Sequence, residues 1–308
     1  MSYVRRRISR VATVIVLLCA AQAFSQSIAS AFEGTTIRKR VDEVNLTFTV
    51  KDGKGRFVTG LTQDNFAILD DHHPPASVNR FQSLTELPLR LCVVIDASDS
   101  VTNYLKFQQE VAIGFLKRIL RPGVDQACLI KFTNTPVLVQ GFTSDIDKLE
   151  ASVRKVSVDG STAIWEALRY TSEIIAKEDA DGQVRRAMVL ITDGDDNSSR
   201  IRFDDALQSV LRAEIAVEVV NTIEANTPSQ NIRRLASMTG GSVWSGGKPK
   251  QLANALAKIE QSLRSQYYVA YRPSGELVPG QFRKIQMKVH RHKGKIAYRS
   301  GYFVPPSD

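Results

Sequence analysis

Two aspartates and three hydroxyl side chains are spaced along this chain as a hard divalent cation would need them. Asp96-Ala97-Ser98-Asp99-Ser100 sets an acid two and four places ahead of hydroxyls. Asp159-Gly160-Ser161-Thr162 offers a further hydroxyl, and Thr192-Asp193-Gly194-Asp195-Asp196 a second acid. Mg²⁺ takes oxygen ligands in a near-octahedral shell that keeps several waters. Ser98, Ser100 and Thr162 can supply neutral oxygens while Asp96 and Asp193 hold metal-bound waters, which leaves the ion under-neutralised. An open coordination position on such an ion attracts an acidic group from outside. The expected cation is Mg²⁺ or Mn²⁺; Ca²⁺ fits less well because its larger shell usually recruits more carboxylates and carbonyls. Taken singly, each segment also reads as a helix cap or turn, where Ser, Thr and Asp are favoured anyway.

The elements that must position these residues are legible in the hydrophobic pattern. Residues 89–95, 127–132, 187–191 and 215–220 are β-rich apolar runs without alternation, as expected for strands covered on both faces. Between them, 105–120, 163–176, 203–211 and 252–263 carry apolar residues at helical spacing. The pattern predicts a doubly wound α/β domain with a mostly parallel sheet over 88–266. In such a sheet ligands bind beyond the carboxyl ends of the strands, where Asp96 and Asp193 fall. The flanks, 33–87 and 267–308, alternate apolar and polar residues between Gly- and Pro-rich turns and read as short antiparallel strands. Each is small for an independent fold, so they are expected to pair as one β-sandwich carrying the central domain; two separate β extensions are the alternative.

The arrangement resembles the von Willebrand factor A family, whose metal-ion-dependent adhesion site has the form D-x-S-x-S, then a Thr, then Thr/Ser-Asp-Gly. Asp96, Ser98, Ser100, Thr162 and Asp193 fall on the five metal positions, in order and on the right elements. The resemblance covers about 88–266 and implies a cation-dependent protein-binding module that engages an acidic group of a partner. Val50-Lys51-Asp52-Gly53-Lys54-Gly55 through Gly60-Leu61-Thr62, Asp64-Asn65-Phe66, Arg264-Ser265-Gln266-Tyr267 and Gly301-Tyr302 look like an exported bacterial subgroup described from Acidobacteria as von Willebrand factor A-related proteins. One departure is Asp99, where the family commonly has Gly. If the backbone there is left-handed, Asp is among the better substitutes. As a third carboxylate it would tighten cation binding and weaken attraction for an acidic partner, with Asp195 and Asp196 adding to the negative field.

The remaining sequence bounds the function. With 308 residues, 43% hydrophobic and 24% charged, the chain has an ordinary globular composition. Residues 1–23 read as a signal peptide: an Arg-rich start, an apolar stretch from Val11 to Ala21, and Ala21 and Ala23 placed as an A-x-A cleavage site. An uncleaved anchor is the alternative, and Ala29-Ser30-Ala31 offers a second cut. The apolar run is short for a bilayer span, and no transmembrane span is expected in the mature chain. The protein is thus expected to be exported: periplasmic, at the outer surface or secreted. Of 41 basic residues the leader holds four, leaving 37 against 32 acids, or +5; no run of consecutive Lys/Arg suggests nucleic acid.

Cys92 and Cys128 sit in buried runs and are expected to be free thiols, with a bond across neighbouring strands as the alternative. His72, His73, His290 and His292 read as solvated, Tyr267, Tyr268, Tyr271, Tyr298 and Tyr302 as strand packing, and the basic residues between 283 and 299 as guards on edge strands. No nucleophile elbow, phosphate loop, metalloprotease or dinucleotide motif is present, and no His lies between His73 and His290, so no enzyme is expected. The alternatives to a binding module are an envelope scaffold with a structural metal and a metal-dependent hydrolase.

Overall fold

The computed structural model describes residues 43–83, 87–178, 184–193, 196–222, 227–290 and 294–305. The leader, Gly194, Asp195 and His292 lie outside the described residues.

The central apolar runs form a six-stranded sheet of β4 (Leu89–Asp96), β5 (Gln126–Phe132), β6 (Pro136–Thr143), β7 (Arg185–Thr192), β8 (Ala216–Asn221) and β9 (Val243–Ser245), in the order β6-β5-β4-β7-β8-β9. All neighbours are parallel except β5 and β6. Side chains alternate through the sheet: Leu89, Leu91, Val93 and Ile95 of β4 enter one core, Cys92 and Val94 the other. On the first face lie α1 (Leu105–Ile119), α2 (Ile146–Arg154) and α6 (Pro249–Arg264); on the second lie α3 (Ile164–Lys177), α4 (Phe203–Arg212) and α5 (Gln230–Thr239). Both faces of the inner strands are covered, which is why β4, β5, β7 and β8 are largely apolar. The chain winds outward from β4 to one side and from β7 to the other, so the switch point lies between them. Asp96 and Thr192 end those two strands.

Cys92 and Cys128 are opposite each other in the β4–β5 register and form a disulfide, with Cα atoms 4.6 Å apart. The expectation of free thiols is therefore corrected: in-register positions on adjacent parallel strands put both side chains on the same face at bonding distance.

The flanking segments interleave. One antiparallel sheet has the order β12 (Gly294–Tyr298), β1 (Val44–Asp52), β10 (Tyr267–Arg272), β3 (Ser77–Ser83). The other has β13 (Gly301–Phe303), β11 (Phe282–Val289), β2 (Phe66–Asp70). Both combine strands from before and after the central domain, and their inner faces share one core containing Leu46, Phe48, Tyr267, Tyr271, Ile285 and Tyr302. Phe48, Phe66, Phe81 and Tyr267 pack ring against ring, with Phe48 and Phe66 edge to face at 4.9 Å. Of the basic residues, Lys295 is exposed on β12, an edge strand as expected of a guard, whereas Arg283, Lys284 and Lys288 belong to β11, the middle strand of its sheet: Lys284 and Lys288 are exposed and Arg283 is buried against Asp70 at 2.6 Å. His72 and His73 lie in the turn after β2, while the His290 amide bonds Asn65 before its start, so they sit at opposite ends of the β2–β11 pair. Among the described residues no helix is long and apolar enough to cross a membrane.

Candidate metal centre

Four of the five expected ligands form one hydrogen-bonded chain at the switch point. Asp96, 1% exposed, accepts the Ser98 amide at Oδ1 (3.0 Å) and the Thr192 hydroxyl at Oδ2 (2.7 Å). Ser98 and Ser100 share a hydrogen bond of 2.9 Å between their hydroxyls, and the Ser100 hydroxyl donates to Asp193 Oδ2 at 2.5 Å. Asp193 Oδ1 is buried and has no hydrogen-bond partner among the described residues. Burial holds the Asp96 carboxyl above the usual carboxylate range, against its bonds to Ser98 and Thr192 and with the Asp193 charge adding to the rise.

The backbone brings the fifth expected ligand, Thr162, to the same rim. The turn Asp99–Val101 follows Ser98, and the Asp99 amide donates to Gly160 O (3.0 Å). The Asp159 amide donates to Ala97 O (2.8 Å), so the loop carrying Thr162 is tied to the loop carrying Ser98 at two points. Gly160 is required here: its φ is +78°, and a Cβ would lie 2.9 Å from Asn134 Oδ1, the atom that accepts the Ser161 amide at 2.6 Å. Thr162, 3% exposed, directly precedes α3 through Ala163.

Asp99 is not among the described residues with positive φ; it opens a tight helical turn that any residue can adopt, so the left-handed case does not arise. Asp196 Oδ1 accepts the Ile164 amide (2.8 Å) and the Ser199 hydroxyl (2.5 Å), and so caps α3 just beyond Thr162.

Sequence reasoning missed the residues that hold the Thr162 loop. Asn197 Oδ1 accepts the Thr162 amide (2.9 Å), Ser199 Oγ accepts the Trp165 amide (3.0 Å), and Asn134 fixes Ser161. The available signal was an Asp-Asn-Ser-Ser run, Asp196 to Ser199, residue types whose short polar side chains bond backbone amides.

Residues 91–195 match the family model of the von Willebrand factor type A domain. No curated protein matches the chain. A von Willebrand factor type A structure from Catenulispora acidiphila is similar at 13% identity, covering 88% of this chain and 74% of that one with a TM-score of 0.53. Proximal thread matrix protein 1 from the mussel byssus is similar at 15% identity, covering 63% of this chain and half of that one, 50%, with a TM-score of 0.52. At such identities the likeness is one of fold.

Within the matched residues the oxygen set suits a hard divalent cation. Among the described residues no three His, Cys, Asp or Glu gather, so the candidate centre consists of two carboxylates and hydroxyls. A buried carboxylate oxygen with no partner loses solvation worth roughly 1–3 kcal/mol and more when charged. A cation beside Asp193 Oδ1 would remove that penalty and favour the ionised form of Asp96.

Proposed function

We propose that the protein is an exported, cation-dependent protein-binding module. In this reading Ser98, Ser100 and Thr162 coordinate Mg²⁺ or Mn²⁺ directly, Asp96 and Asp193 hold its waters, and an acidic side chain of a partner protein completes the shell. The observation that carries it is the unpartnered Asp193 Oδ1 beside the Ser98–Ser100 hydroxyl chain. The flanking motifs named above support membership of the exported bacterial von Willebrand factor A-related group, and the Cys92–Cys128 disulfide supports an oxidising compartment. The central domain with its two loops then acts as the binding head and the β-sandwich as its carrier.

The test is capture from a bacterial envelope extract on immobilised protein, read by mass spectrometry. A partner retained in Mg²⁺, released by chelator and lost with Asp96→Ala supports the proposal. Capture indifferent to both chelator and Asp96→Ala would mean that partners bind elsewhere, as in the scaffold reading.

A further inference from the structure

A second polar cluster lies far along the sheet from β4, where the first turn of the β-sandwich meets β9 and α6. It surrounds a cavity of about 450 Å³ lined by Lys51, Arg56, Phe57, Trp244, Lys258 and Gln261, among others. Lys51 is the centre of it. Its Nζ sits 4.8 Å from the Phe57 ring centroid and 4.7 Å from that of Trp244, and Lys258 Nζ lies 5.8 Å from the same Trp244 ring. Two ammonium groups thus share one indole, and no carboxylate lines the cavity.

The nearest acids are committed elsewhere. Asp52 pairs with Arg56 at 2.8 Å and accepts the Lys54 and Arg56 amides. Glu218 lies buried behind Trp244, accepting the Trp244 Nε1–H (2.8 Å), the Ser242 amide (3.0 Å) and the Ser262 hydroxyl (3.0 Å). Arg56 is therefore neutralised, whereas among the described residues Lys51 and Lys258 have no ion-pair partner. Burial lowers the Lys51 ammonium's affinity for its proton; the Glu218 charge opposes this and the Lys258 charge adds to it. Two like charges at the wall of one cavity repel each other, and an anion bound beside both would relieve that repulsion.

We propose that this cavity is an anion-binding site for a small phosphate monoester. Its dianion matches the two uncompensated ammonium groups, and Phe57 offers an apolar wall to a ring or short alkyl group on the ester oxygen. A cavity of this volume takes a ligand of that size. The site is independent of the strand-end cation centre.

The chain contains two tryptophans, and the other, Trp165, is packed against Phe203 with ring centroids 5.1 Å apart. The full chain carrying Trp165→Phe reports Trp244 emission alone. Titration with phenyl phosphate is expected to give a saturable change in that emission, with inorganic phosphate binding at the same site more weakly. Lys258→Met and Lys51→Met should each weaken phenyl phosphate by about tenfold, the effect of one lost charge-assisted contact, at an unchanged urea midpoint. Lys258 is exposed, so its variant decides the matter if Lys51→Met disturbs the fold. No saturation at millimolar ligand, unchanged affinity in Lys258→Met, or phenol binding as tightly as phenyl phosphate would each overturn the proposal.

Discussion

Asp70 and Asp96 both end a strand, and both are buried among hydroxyl groups, yet their surroundings close in opposite ways. Asp70, 0% exposed at the end of β2, accepts Arg283 Nε (2.6 Å) at one oxygen and the Tyr271 (2.9 Å) and Tyr302 (3.0 Å) hydroxyls at the other. The remaining Arg283 nitrogens donate to Glu276 O and Ser274 O at 2.9 Å each. Burial and the Asp70 charge hold both tyrosine hydroxyls above their ordinary range. Every group in that set has a partner from the protein itself, so it ties β2, β10, β11 and β13 together and offers nothing to a ligand. The Asp96–Asp193 pair has hydroxyls but no basic residue among its hydrogen-bond partners, and one carboxylate oxygen has no partner. A closed set stabilises the fold; an open one is what the proposed cation would complete.

The sharpest break of this contrast is in stability. Asp70→Ala leaves Arg283 buried without its counter-charge and is expected to cost about 3–5 kcal/mol, read as a shift in urea midpoint. Asp193→Ala gives up the Ser100 hydrogen bond but also removes a buried unpartnered oxygen and the repulsion with Asp96, and should leave the metal-free protein within about 1 kcal/mol of wild type. Equal losses in the two variants would erase the distinction.

A smaller loss is expected where the disulfide binds β4 to β5. Its sequence separation is 36 residues, and replacing both Cys92 and Cys128 by Ala should cost about 2–4 kcal/mol. Cation affinity should be unchanged, because the bond lies in the core beneath the ligand loops. A parallel loss of cation binding would mean that the core and the loops are one cooperative unit.

Glu218 extends the comparison to a carboxylate that is satisfied by hydrogen bonds but has no ion-pair partner. Burial raises its pKa, opposed by its bonds to Trp244, Ser262 and Ser242. The folded chain then holds a proton that the unfolded chain releases, so the stability contributed is full below the ordinary Glu value and declines as pH rises through the raised one. Glu218→Gln should flatten that decline in urea melts run across the acid range; an unaltered slope would show that Glu218 is not its source.

The smallest effect is at Asp99. Its exposed carboxylate stands one residue from Ser98 and Ser100, and Asp99→Gly should weaken Mg²⁺ by about threefold through the lost charge while tightening capture of an acidic partner. Unchanged values for both would remove Asp99 from the electrostatics of the rim.

The central strands and the place of the candidate site were legible for one physical reason: short β-rich apolar runs suit doubly covered strands, and such strands end in a crevice. Thus 89–95 and 187–191 located Asp96 and Asp193 before any coordinates. Less legible were β6, an edge strand with no fully buried residue, and α2 and α5, short helices whose apolar positions are few. The supports of the Thr162 loop were hidden because Asn134, Asp196, Asn197 and Ser199 act across 27 to 35 residues of chain, a distance over which spacing carries no signal. The disulfide needed the strand register, which apolar runs without alternation do not specify.

The central claim is that the Asp96–Asp193 cluster is open to a divalent cation. Calorimetric titration of chelator-stripped full-length protein with Mg²⁺, and separately with Mn²⁺, tests it directly, with Asp193→Ala run beside wild type at matched folded fraction. The account predicts one saturable site in wild type and none in Asp193→Ala. No binding in wild type, or binding of equal strength in the variant, would contradict it.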